Sequence, residues 1–273
     1  MNRMSEKKKN PPETVAKPYL PGEPTDENTV KSALKFFGIM ILIIFMCFLV
    51  SMMMSFDNTL IRIGINLAIV MLVYVILYTK GANPGAEAVA RGEILYQRRE
   101  KGQEVTRGEQ RLSFHRMKGY LTGFLGTLPF LIPAVILAVT TRKTMTSIGA
   151  LPDWMSTMIR RSEIGDALTT YTQTEGITGL EILRVLVRIF IMPFISMTGS
   201  GNRDLVLIVE RLSPMILLLP AIAYGTGYMR GPKIRTKIHT EIEQNRQKRK
   251  RRENKARRER AAAAHKHEPE QLN

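Results

Sequence analysis

From Phe36 to Phe56 the chain carries no charged residue. About 20 residues of helix cover a hydrocarbon core of about 30 Å, so this run predicts a membrane span. A second apolar run, Ile63 to Tyr78, has Asn66 as its one strongly polar member. Asp57 and Asn58 supply turn chemistry in the short link, and residues 35–79 read as an antiparallel transmembrane hairpin. A third run extends from Gly119 to Val139, giving a span over 119–139. Gly119, Gly123 and Gly126 put small residues on one side of it for helix packing, and Pro129 and Pro133 predict a kink. The last apolar stretch, Leu205 to Met229, is interrupted by Glu210 and Arg211. Ser213-Pro214 has the chemistry of a cap and first turn, which places the last span at 212–230, ended by Gly231-Pro232.

The intervening segments are polar. Residues 1–34 are rich in proline and charge and poor in aliphatics, so disorder is expected. In 80–118, GANPG reads as a turn or linker, Ala86 to Arg99 as helix, Gly102 as a break, and Glu104 to Lys118 as a helix leading into the third span. In 140–211, Leu151, Trp154, Met155 and Met158 have the spacing of an amphipathic surface helix, with the only tryptophan suited to a lipid–water interface. TTYTQTEGITG, ending at Gly179, reads as a polar loop.

One segment resists assignment. Leu180 to Phe194 is apolar enough to enter a membrane, yet contains Arg184 and Arg188. On a helix, Glu181, Arg184 and Arg188 form a stripe about 60° wide. Two central arginines cost roughly 5–7 kcal/mol on insertion scales, and the apolar residues to Met197 return roughly 4–7 kcal/mol, so energy does not decide. Charge does. Lys and Arg number 7 in residues 1–35, 9 in 79–118 and 15 in 230–273, against Arg62 alone in 57–62. If cytoplasmic segments carry the basic excess, four spans satisfy the pattern and a fifth, formed by 180–199, would place the most basic segment outside. The segment is therefore expected to lie flat or half-inserted on the far side, its arginines toward phosphates and Glu181 beside Arg184. The alternative is a charged site within the membrane, completed by Glu210 and Arg211.

Composition adds the tail. With a net charge of +16 over 273 residues, the chain concentrates its basic residues in 231–273: Arg246, Lys248, Arg249, Lys250, Arg251 and Arg252, then Lys255, Arg257, Arg258 and Arg260. Helix formers dominate from Lys233 to Ala264, and Ile234, Ile238 and Ile242 make a short apolar seam that could dock on 86–118 or on a second copy. Anionic lipid, RNA or the ribosome, an acidic partner or another membrane subunit would suit such a helix. Without Phe, Tyr or Trp it has no base-stacking platform, so sequence-specific nucleic-acid reading is not expected.

Chemistry for catalysis is missing from the pattern. The single cysteine, Cys47, excludes an internal disulfide. The four histidines include no metal-binding pair on a helix face, and there is no phosphate-binding glycine loop or serine elbow. No cofactor, metal or enzymatic activity is expected. The fold class is all-α: a polytopic integral membrane protein with four transmembrane helices (five if the arginine segment crosses), interfacial amphipathic helices, and a long basic cytoplasmic C-terminal helix. Both termini are placed in the cytoplasm, and a bacterial plasma membrane is the default location. The expected role is a non-enzymatic assembly or adaptor protein. A transporter or permease subunit using the arginine face is an alternative. In layout alone, the chain resembles insertase-type membrane biogenesis factors, which combine a few spans, an intramembrane arginine and a ribosome-facing basic tail; no motif is shared.

Overall fold

The computed structural model describes residues 15–53, 58–141, 179–199 and 203–266. The amphipathic segment around Trp154 and the loop before Gly179 lie outside them. The secondary-structure elements among the described residues are all helices, without strands. In chain order the helices are α1 (Asn28–Met53), α2 (Thr59–Glu100), α3 (Arg107–Arg111), α4 (Lys118–Thr140), α5 (Gly179–Phe190), α6 (Met192–Thr198), α7 (Arg203–Met229) and α8 (Gly231–Lys266). Four helical stretches are long and apolar enough to cross a membrane: α1, α2, α4, and the stretch that begins in α7 and continues into α8.

These helices alternate in direction. α1 and α4 run together, with Phe37 against Phe130 and Phe36 beside Gly126. α4 opposes α7, so that Gly119 meets Tyr228 and Gly123 meets Ala221. α2 runs alongside α7 in the same sense, Gly81 on Tyr224 and Gly85 on Tyr228. The main core joins α1, α2, α4, α5 and α7 through Phe36, Leu77, Leu137, Val187, Leu217 and Tyr224.

α2 is longer than its apolar run. Asn58 caps it, its side-chain oxygen accepting from the backbone N–H of Leu60 at 3.0 Å. The helix continues through Pro84 to Glu100, where the expected GANPG turn would have ended it. Gly81, Ala82, Gly85, Ala88 and Gly92 form a buried small-residue strip whose close contacts with neighbouring backbone hold this stretch in the packing. At 42 residues, α2 is about twice the length that a bilayer core requires. Gly102, with φ +74°, then turns the chain. The helix expected over 104–118 is reduced to the five residues of α3, whose Thr106–Glu109 capping box fixes its start.

The expectation of a disordered tail over 1–34 is not met in its described part. Residues 15–27 form an extended strap. Leu20 donates its N–H to Gly92 O at 3.1 Å and Gly22 to Phe114 O at 2.9 Å. Tyr19 packs edge-on against Phe114. α1 begins at Asn28, earlier than residue 35, after a turn in which Thr29 and Asp26 bond reciprocally. α7 likewise begins at Arg203, not at 212. Ser213 sits inside it and donates to Glu210 O at 2.7 Å, so Ser213-Pro214 does not cap a helix.

Candidate functional site: a buried arginine–glutamate cluster

The segment 180–194 is not one helix. α5 is 12 residues long, Ile191 is a turn, and α6 restarts with Pro193 in its first turn. At about 18 Å, α5 alone is too short to cross a hydrocarbon core of about 30 Å.

Its polar stripe faces inward. Glu181 and Arg184 are 4% and 3% exposed, whereas Ile182 on the opposite face is 61% exposed. An interfacial helix with outward arginines would show the reverse, so that expectation is corrected. The stripe's counterpart is Glu210 on α7, which is fully buried. Arg188 Nε donates to Glu210 Oε1 at 2.6 Å, and Arg184 Nε lies 3.5 Å from Oε2. The carboxylate thus bridges two guanidiniums from successive turns of α5, one along each oxygen. Arg211, expected beside Glu210, is exposed and lies outside the cluster. One position on a helix is a rotation of about 100°, which separates these neighbours completely.

At the same end of the bundle, the Arg62 guanidinium lies over Gly199. Gly199 has φ +77°, and a Cβ there would collide with the Arg62 side chain, so two requirements select glycine. Asn66, 2% exposed, donates from its amide to Arg62 O at 2.9 Å. Between α1, α2, α6 and α7 lies a cavity of about 150 Å³ with an apolar lining that includes Met40, Val73, Leu77, Phe194 and Leu217. It offers shape but almost no polar chemistry.

The helix-packing glycines lie at close approaches. A Cβ on Gly123 would sit 3.0 Å from Ala221 Cα, and one on Gly126 would sit 2.7 Å from Ala33 O. Gly119 is covered by the Tyr228 ring.

A second polar cluster escaped the sequence reading. Glu93, 5% exposed on the outer half of α2, accepts from Arg235 Nε at 2.9 Å and lies 2.9 Å from His239 Nε2. Val15 N–H also donates to Thr240 Oγ1 at 3.2 Å. α8 therefore docks through Arg235 and His239; of the expected seam, Ile234 and Ile238 are half-buried and Ile242 is 59% exposed. The available signal was the i, i+4 spacing of Arg235 and His239 opposite an acid that directly follows the small-residue strip. A third pair, Lys118 and Asp26, joins α4 to the strap at 2.6 Å, both side chains nearly buried. Burial alone would raise the Asp26 pKa, but the Lys118 ammonium and Thr29 hydroxyl outweigh it and hold the carboxyl below its ordinary value.

Every basic side chain of the tail from Arg246 to Arg260 is exposed. Glu253 and Glu259 pair with Arg249 and Lys255 at 3.1 and 3.8 Å. Among the described residues, the other eight basic side chains in this stretch lack a carboxylate partner.

No family model matches the chain, and no curated protein or solved structure does.

Proposed function

We propose that this is an integral membrane protein of four spans that acts as a non-enzymatic adaptor, holding a basic helix away from the membrane for a partner. The observation that carries this reading is Glu93, which binds both Arg235 and His239. Through it the start of α8 is fixed to the half of α2 that exceeds a membrane span. The strap, the α2–α4 connection and α8 gather at one end of the bundle, and the last two of these carry a basic excess. The positive-inside rule puts that end in the cytoplasm. The far end carries Arg62 and the α5–α6 elements.

The arginine cluster supports a clamp more than a transport site. A permease using that face needs a guanidinium turned toward its substrate. Arg188 is held by Glu210 at 2.6 Å and Arg184 is buried. The break at Ile191, which brings two short helices against α7, is the feature that favours the permease reading.

The test uses Cys47→Ala as a thiol-free background. Single cysteines at Thr59 and Lys255, both exposed, are labelled in intact cells with an impermeant maleimide. Labelling at 59 alone fits four spans with a cytoplasmic α8; labelling at 255 overturns the orientation. A photocrosslinker at 255 then reports the partner. Crosslinking to lipid alone would remove the adaptor reading.

A further inference from the structure

We infer that α8 is a binding site for RNA phosphates, read without base specificity; this rests on the membrane-adaptor reading above. Three observations select RNA from the polyanions that a basic helix could meet.

The first is reach. Arg230 lies over the Tyr78 ring at 5.7 Å, and Lys80 follows two residues later, which marks the polar edge of α2 and α7. Beyond that edge α8 does not turn along the membrane. Gly231 packs on Gly85, and Arg235 and His239 reach Glu93, so α8 follows the outward course of α2. Arg246 is 16 residues past Arg230, about 24 Å along the helix, and Arg260 is about 45 Å along it. Surface charge is screened over about 8 Å at physiological ionic strength. The basic stretch is thus about three screening lengths or more from the headgroups of its own membrane.

The second is the distribution of charge. At 100° per residue, Arg246, Lys250, Arg257 and Arg260 share one sector, Arg251 and Arg258 a second, and Lys248 and Arg252 a third. A flat lipid surface engages one face and rewards an apolar one beneath it. Here the positive charge surrounds the helix, and residues 245–260 are exposed on all sides. A helix with charge all round suits a groove or crevice walled by phosphates.

The third is what the helix lacks. Between Asn245 and Arg260 the only apolar residue is Ala256. A protein partner would find no aromatic or aliphatic anchor, the usual centre of an interface, and no a/d seam for a coiled coil. The same lack of aromatic rings removes base stacking, leaving the phosphate backbone as the element read.

The test uses the full chain in nanodiscs of zwitterionic lipid and a fluorescent RNA hairpin, with binding followed by anisotropy. Binding is expected to weaken steeply with salt and to be insensitive to scrambling the RNA sequence. The variant Arg246→Gln, Lys250→Gln, Arg257→Gln, Arg260→Gln is expected to lower the slope of log K against log salt by roughly 0.7–0.9 for each phosphate it no longer neutralises. Equal binding by wild type and this variant would overturn the assignment. So would polyglutamate displacing the RNA at equal charge, which would point to an acidic protein. A probe at position 255 quenched by headgroup label in anionic nanodiscs, with RNA excluded, would place the helix on lipid instead. Maleimide labelling of Lys255→Cys in cells reads the orientation separately, so loss of RNA binding with a cytoplasmic α8 removes only the RNA assignment.

Discussion

Arg188 and Glu210, on different helices and 22 residues apart, meet at 2.6 Å where Glu210 has no exposed surface. Removing the acid leaves two guanidiniums packed into the bundle without their shared counter-charge. Breaking a buried pair from one side costs about 3–5 kcal/mol. Glu210→Ala should therefore lower the thermal midpoint of the detergent-solubilised protein strongly. Arg211→Ala, the next residue and exposed, should stay within about 0.5 kcal/mol of wild type. Equal midpoints for the two variants would show that the cluster holds nothing together.

The contact between α2 and α7 depends on atoms that are absent. A Cβ on Gly227 would overlap the Tyr78 carbonyl, and one on Gly81 the Tyr224 carbonyl. Gly227→Ala should cost about 1–3 kcal/mol through forced separation of the helices. Gly64→Ala, in open space on α2, should be neutral or stabilise by up to about 1 kcal/mol, since alanine is the better helix former. Fluorescence-detected melting of the two variants separates packing from propensity.

Asp26 makes the base of the bundle sensitive to acid. Its folded pKa lies below 3.8 because Lys118 and Thr29 stabilise the carboxylate against the cost of burial. A depressed pKa contributes stability above the unfolded value, and that contribution is lost as pH falls through the folded value. Asp26→Asn should cost about 1–3 kcal/mol at pH 7, by leaving a nearly buried ammonium without its carboxylate. The gap to wild type should narrow only below about pH 4. Melting curves from pH 7 to 2 that stay parallel would exclude this pair as the source.

The apolar runs gave the helices that are long enough to cross a membrane because hydropathy over some 20 residues is a strong local signal. The ends of those helices were less legible. Pro84 and the glycines around it look like a turn in isolation, yet α7 packs against their bare backbone and keeps α2 continuous. Ser213-Pro214 has cap chemistry, but a helix already in progress absorbs it. The stripe of Glu181, Arg184 and Arg188 was readable as a stripe, and its direction was not. A period of 3.6 says which residues share a face, while the partner across the space, Glu210, decides whether that face turns in. The strap shows the same limit. Tyr19 and Leu20 are too few for a core of their own, and they are ordered by Gly92 and Phe114, about 70 and 95 residues further along the chain.

How α8 is held decides what it can present. Its apolar seam suggested docking by isoleucines; Ile234 and Ile238 are half-buried, Ile242 is exposed, and Glu93 binds the adjoining polar face. The two possibilities predict opposite mutants. With Cys47→Ala and spin labels at the exposed positions Gln97 and Gln247, the wild type should give a narrow distance distribution. Glu93→Ala leaves Arg235 and His239 without their acceptor, and the distribution should broaden as α8 swings from α2. Ile242→Ser removes an apolar side chain that faces solvent and should leave it narrow. If Ile242→Ser broadens the distribution and Glu93→Ala does not, the seam holds the helix and the polar latch is incidental. If Glu93→Ala alone broadens it, the fixed outward course of the basic helix rests on one carboxylate, and phosphate binding by the tail becomes separable from its rigid placement.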